Sequence, residues 1–288
     1  MRLGRSIFAT EPSNSQVNTP IRPFGVKSAW SMPAQFGVSV SPCTFQVLGS
    51  YQISRRRASA ISVAEAHREL IWYDPHSWRQ QDITPTPDCA GINHADFTAD
   101  GRTAVFTCEL AGRVAVIDVA SHRLLRMIDM PHRHTHMGPQ DIKLAPDGSV
   151  FYIADSDQNG LWVLDGAATK VLREIPTGMG AHGIYLDRPA KRLLVSNRHE
   201  GSVSVLDAYT GAALAKWRIP GRASPDMGGL TADGSQLWLS GRYNQEVYVL
   251  STADGHLIKR IPAGPEPHGL CIWPQPGRYS LGHTGITR

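Results

Sequence analysis

The chain has 288 residues, 41% hydrophobic and 19% charged, with 27 Gly and 20 Pro, a composition that suits a turn-rich globular fold and excludes a mostly disordered or long helical one. Its net charge of +4 is mild, and its basic residues are scattered apart from Arg55, Arg56 and Arg57, which predicts no extended nucleic-acid surface. No apolar run approaches the ~18 residues that cross a bilayer, and Cys43, Cys89, Cys108 and Cys271 lack the CxxC spacing of a thiolate zinc site.

The first 46 residues are irregular. Arg2 and Arg5 open the chain as a secretory signal would, but no apolar stretch of roughly 7–15 residues follows before Glu11, Ser13, Asn14 and Ser15. From residue 47 onward a repeat of about 43 residues takes over. VFTCELAGRVAVID ends at Asp118, YIADSDQNGLWVLD at Asp165, LVSNRHEGSVSVLD at Asp207 and WLSGRYNQEVYVLS at Ser251, and in each copy Cys108, Asp155, Asn197 or Gly241 lies ten residues before the closing position. An earlier copy, ISVAEAHRELIWYD, places Ala64 in that slot before Asp74, and a final fragment, Ser280–Thr284, begins a copy the chain does not finish.

Each copy starts with a short apolar strand and a tight turn: Ala99-Asp100-Gly101, Pro146-Asp147-Gly148, Pro189-Ala190-Lys191 and Ala232-Asp233-Gly234. Asp-Gly favours a hairpin because glycine takes positive φ without steric cost. A strictly alternating strand follows, such as Val114, Val116 and Asp118 against Ala115 and Ile117, then a polar turn and a last strand ending near Ile-Pro. Four antiparallel strands per copy predict an all-β fold, a β-propeller of four-stranded blades, since stacked blades bury faces that one blade leaves open. The blades are expected at 47–88, 91–131, 138–178, 180–221 and 225–264, with a half blade at 266–288. The domain is therefore 47–288, and residues 1–46 are the expected source of closing strands for a ring of six or seven blades.

The slots Tyr152-Ile153-Ala154-Asp155 and Leu194-Val195-Ser196-Asn197, the Ser-Val-Leu-Asp pattern and the Asp-Gly hairpins resemble the YVTN family of β-propeller repeat proteins. Asn93-His94-Ala95-Asp96, Pro139-Gln140-Asp141, Gly180-Ala181-His182-Gly183, Ser224-Pro225-Asp226-Met227-Gly228 and Leu281-Gly282-His283-Thr284-Gly285 look like a bacterial branch of it, over about residues 59–288. The resemblance implies an exported or periplasmic cell-envelope protein, in a family where many members have no assigned activity. It also implies distant kinship with the haem-binding propeller of nitrite reductases and the copper-binding propeller of nitrous-oxide reductase.

Propeller ligands sit over the axial channel, where loops entering the inner strands converge. His182 and His268 occupy one such slot, and Asn93, Gln140 and Asp226 occupy it in other blades; His94, Asp141 and Met227 stand beside it, and His283 lies at the end of the half blade's second strand. These residues either tie blades together through backbone hydrogen bonds or face a ligand, and neutral imidazoles are good donors to copper, zinc and iron. In the loop His132-Arg133-His134-Thr135-His136-Met137, alternating histidines point to one side, so the segment is a copper site or an exposed polar loop. Arg198 and Arg242 are placed to bind an anionic ligand, to be solvated, or to stack on Tyr243 and Trp238. Cys89 and Cys108 meet in a disulfide or stay as buried thiols.

GxSxG, HExxH, GxxxxGK[ST] and CxxCH are all missing, which excludes covalent c-type haem. A single-metal lactonase would need more carboxylates than Asp141 and Asp226. The first expectation is a non-enzymatic propeller, a monomer that binds a small molecule or protein on its axial face and blade-connecting loops. The second is an oxidoreductase-type propeller that holds copper or a non-covalent haem through axial histidines.

Overall fold

The computed structural model describes residues 59–74, 76–131, 137–189, 191–270 and 272, together with the backbone of 45–46, 280–281 and 286–287. The described residues all fall within one compact unit. Its β-propeller architecture follows the sequence repeat: five four-stranded antiparallel sheets, each a meander in chain order. The first blade contains β1 (Phe45–Gln46), β2 (Ala60–Ala64), β3 (Glu69–Tyr73) and β4 (Gln80–Pro85). The second holds β5 (Ile92–Phe97), β6 (Thr103–Cys108), β7 (Arg113–Asp118) and β8 (Arg123–Asp129). The third holds β9 (Pro139–Leu144), β10 (Val150–Asp155), β11 (Gly160–Asp165) and β12 (Val171–Pro176). The fourth holds β13 (Ala181–Asp187), β14 (Arg192–Asn197), β15 (Ser202–Asp207) and β16 (Ala213–Arg218), and the fifth β17 (Pro225–Leu230), β18 (Gln236–Gly241), β19 (Glu246–Ser251) and β20 (Leu257–Pro262). Two short strands, β21 (Ser280–Leu281) and β22 (Ile286–Thr287), pair with each other near the C-terminus. Most of residues 1–46, expected to supply closing strands, lie outside the described residues; within them, Phe45 and Gln46 pair with Ser62 and Ile61.

Period-2 alternation explains why the blades stack. Neighbouring residues on one strand point to opposite faces, so Phe106 packs toward the first blade with Leu70 and Trp72, while Val105 packs toward the third with Phe151 and Ile153. Tyr152 and Leu161 meet Ile184 and Leu193 of the fourth blade, and Leu194 and Val205 meet Leu239 and Tyr248 of the fifth. The core is therefore a series of apolar layers between successive blades rather than one central mass.

The turns hold by local carboxylate bonds. Asp118, Asp165 and Asp207, which close the third strand of their blades, accept from the backbone N–H groups of Ser121, of Thr169 and Lys170, and of Tyr209 and Thr210. The Asp-Gly hairpins place Gly101, Gly148 and Gly234 at φ +69, +75 and +70, which glycine alone adopts freely. On the outer strands a bulge leaves Leu125, Leu172, Leu214 and Ile258 outside the ladder and facing solvent.

Cys89 and Cys108 form a disulfide with Cα atoms 4.9 Å apart, clipping the entry of β5 to the end of β6. This closes the alternative of free thiols.

Candidate functional site at the inner strand entries

The site begins with one irregularity repeated four times. Where each inner strand enters its blade, three residue steps on that strand oppose two on its neighbour: Ile92 pairs with Cys108 but Ala95 with Phe106, and Ala181 pairs with Asn197 but Ile184 with Val195. The same shift separates Pro225 from Gly228, and Pro139 from Ile142. A bulge of this kind re-aims the side chains within it, here Asn93 and His94, Gln140 and Asp141, His182 and Gly183, and Asp226 and Met227.

A hydroxyl on the second strand plugs the bulge in three blades. Thr107 Oγ1 accepts from His94 N at 3.1 Å, Ser196 Oγ from Gly183 N at 2.8 Å and Ser240 Oγ from Met227 N at 3.2 Å. Ser196 and Ser240 then donate onward, to the Asp226 carbonyl on β17 at 2.8 Å and to the His268 carbonyl beyond β20 at 2.6 Å.

Carboxylates make the other links between blades. Asp96 Oδ2 accepts from Leu144 N at 2.6 Å, and Asp141 Oδ2 from Ile184 N at 2.9 Å. Asp141 Oδ1 takes Lys143 Nζ at 2.7 Å and lies 3.6 Å from His94 Nδ1, with all three side chains almost fully buried. Two blades further on, His182 Nδ1 lies 3.0 Å from Asp226 Oδ1 and 3.0 Å from Met227 Sδ. In both pairs a histidine of one blade faces an aspartate of the next, His94 and Asp141 from the bulge position that follows the one held by His182 and Asp226. The His94 and His182 rings approach edge-on at 6.5 Å, and His182 and His268 at 6.0 Å.

Asp226 is the hub. Arg198, 1% exposed, reaches Oδ1 at 3.2 Å through Nη1, while Arg242 Nη1 and His268 Nε2 each lie 3.8 Å from Oδ2. Burial pushes the Asp226 carboxyl up to about 6 despite the opposing pull of Arg198 and Arg242. Tyr185 donates to the Asp226 carbonyl at 3.3 Å, and burial raises its phenol well above the usual range. Gly183 has a steric reason, because a Cβ there would collide with that hydroxyl.

Of the residues singled out in the sequence, His94, Asp141, His182, Asp226 and His268 thus come together, with Met227 beside His182. Gln140 is buried and donates to the Gly138 carbonyl, while Asn93 is half-buried in the equivalent slot. His283, His132, His134 and His136 lie outside the described residues. Met137 donates its N–H to Asp157 at 3.1 Å. Arg198 is not solvated; it is buried, paired with Asp226, and stacked 6.0 Å from the Tyr243 ring. Lys143 and Asp96 are additions, and their signal was present: two residues after Asp141 and His94, they share a strand face with them.

Residues 139–276, just under half of the chain, match the model of the YNCE-like beta-propeller family. The chain is similar to these propellers. No curated protein matches it by sequence. Among solved structures, Kuenenia stuttgartiensis hydrazine synthase superposes with a TM-score of 0.61 at 18% identity over 73% of this chain and 66% of that one, just under two thirds of its length. Selenomethionine-substituted virginiamycin B lyase from Staphylococcus aureus gives 0.63 at 16% identity over 79% and 72%. A catalytically inactive histidine-to-alanine variant of that lyase with quinupristin gives 0.62 at 15% over 77% and 74%. At these identities the likeness is one of fold.

Proposed function

We propose that this propeller is a binding protein whose ligand sits over the axial ends of the inner strands, against His94, Asp141, His182, Asp226 and His268. The carrying observation is the recurrence of a buried histidine against the next blade's aspartate, 3.6 Å in one case and 3.0 Å in the other. Simple blade tying does not need it, since Asp96, Asp141, Ser196 and Ser240 already link the backbones. No covalent step is invoked. The Cys89–Cys108 disulfide supports an oxidising compartment, in line with an exported protein.

A second reading has its own observation. Ligand atoms of His182, Asp226 and His268 lie within 4.8 Å of one another, a set whose imidazoles and carboxylate suit a transition metal ion. Against it, Arg198 already occupies Asp226 Oδ1, leaving one carboxylate oxygen to an ion.

Thermal-shift screening of the full chain against small polar compounds, with zinc and copper as separate arms, tests both. Binding at the axial site is expected to give stabilising compounds whose effect is lost in His182→Ala. Compounds that stabilise His182→Ala equally, or no stabilising compound, would overturn it. Stabilisation by metal alone, reversed by chelator and lost in His268→Ala, would put the second reading first.

A further inference from the structure

We infer that the axial site takes a small carboxylate with a hydrogen-bond donor on the adjacent carbon, an α-hydroxy or α-amino acid; this rests on the axial-binding reading above. The Arg198 side chain is fully buried, and only its Nη1 is engaged, by Asp226 Oδ1 at 3.2 Å. Its Nε and Nη2 make no hydrogen bond among the described residues. Those two nitrogens share one edge of the guanidinium, the planar fork that receives both oxygens of a carboxylate in parallel. A buried charge of this kind with two donors unmet is costly unless something fills the fork.

The acceptor side is equally specific. Asp226 Oδ2 is buried with no hydrogen bond among the described residues, and Arg242 Nη1 and His268 Nε2 stand 3.8 Å from it. Because Arg198 and Asp226 touch, the unmet fork and the unmet oxygen lie within the span of one small molecule. An occupant that satisfies both offers two coplanar acceptors and one donor beside them. Acetate supplies only the first; an α-hydroxyl or α-ammonium supplies the second. Arg242 and His268, 3.8 Å from Oδ2 with side chains 32% and 38% exposed, are the partly exposed groups past which such an acid would enter.

Isothermal titration calorimetry of the full chain with matched acids tests this: lactate and alanine against propionate, and malate against succinate. The acid carrying the donor is expected to bind at least about tenfold more tightly than its partner, the effect of one hydrogen bond to a charged acceptor. Lactate ahead of alanine identifies a neutral donor, and the reverse an ammonium. Arg198→Lys, which keeps the charge and loses the fork, is expected to weaken every acid at least about tenfold. Asp226→Asn is expected to erase the preference within each pair. Where Arg198→Lys does not fold, a crystal structure of the wild type soaked in the preferred acid decides: a carboxylate on Nε and Nη2 supports the inference, and ordered water alone overturns it. Equal binding within each pair, or unchanged binding by folded Arg198→Lys, also overturns it. Neutral compounds whose stabilisation is lost in His182→Ala would leave the axial reading standing while sinking the acid; no ligand of any class would sink both.

Discussion

Aspartates at the blade turns and Asp226 at the inner strand entries do opposite work. At the turns, Asp100, Asp147 and Asp233 of the hairpins and Asp74, Asp118, Asp165 and Asp207 after the third strands accept from backbone and hydroxyl donors within a few residues, and these bonds pull their carboxyls down. At the axial end Asp226 is buried, pairs with residues of another blade, and is pushed up to about 6. The turn aspartates recur from copy to copy because each copy needs the same turn. The axial slot reads Asn93, Gln140, His182, Asp226 and His268, with histidine twice and a different residue in each of the other copies. In a repeat protein, residues that stay the same across copies build the copy, and residues that change at one slot are free to build a site.

The largest expected effect comes from removing the hub. Asp226→Ala strands the buried Arg198 guanidinium without its partner, and breaking a buried pair this way costs about 3–5 kcal/mol. Urea denaturation measures it, with Asp233→Ala as the comparison; the exposed hairpin aspartate is expected to lose far less. Replacing both partners, Arg198→Met with Asp226→Leu, is expected to regain most of the loss, since a packed apolar pair needs no solvation. Equal losses for Asp226→Ala and Asp233→Ala would dissolve the contrast between the two ends.

The two ends are also expected to respond to pH with opposite sign. Asp233 is lowered from 3.8 to about 2 in the folded chain, so its contribution is present above about pH 4 and is lost as pH falls through 2. Asp226 is raised from 3.8 to about 6, so between those values the folded chain holds a proton that the unfolded chain releases. Stability from Asp226 therefore falls as pH rises across that window, by at most about 3 kcal/mol, and levels off above 6. Urea midpoints from pH 2 to 8 are expected to show the upper slope in the wild type and not in Asp226→Asn. A slope that persists in that variant belongs to another group.

Strand order, hairpins, closing aspartates and the correspondence of axial slots were legible because they rest on period 2 and on turn chemistry, both local. The slot containing Asn93, Gln140, His182 and Asp226 is the one the structure brings to the strand entries. What stayed hidden is non-local. The bulge that turns His182 toward Asp226 depends on Ser196 of the neighbouring strand, and nothing in Ala181-His182-Gly183 alone specifies it. Arg198 was open to a solvated reading because arginine is almost never fully buried without a partner, and the partner sits 28 residues away in the next blade. Lys143 was within reach, since Asp141 and Lys143 alternate on one strand face.

The smallest contrast is between two glycines, and it asks whether the axial end is shaped for something beyond stability. Gly101 sits at φ +69 with open space around it, so Gly101→Ala is expected to cost about 1 kcal/mol by backbone strain alone. Gly183 has no such backbone demand; a Cβ there meets the Tyr185 hydroxyl and the Asp226 carbonyl, an overpacking worth about 1–3 kcal/mol. The two stability losses can therefore lie close together while their consequences differ. Gly183→Ala pushes on the strand that carries Asp226 and is expected to weaken any axial ligand, whereas Gly101→Ala, at the far hairpin, leaves binding unchanged. If both variants bind alike, the close packing at Gly183 serves the blade interface and not the ligand.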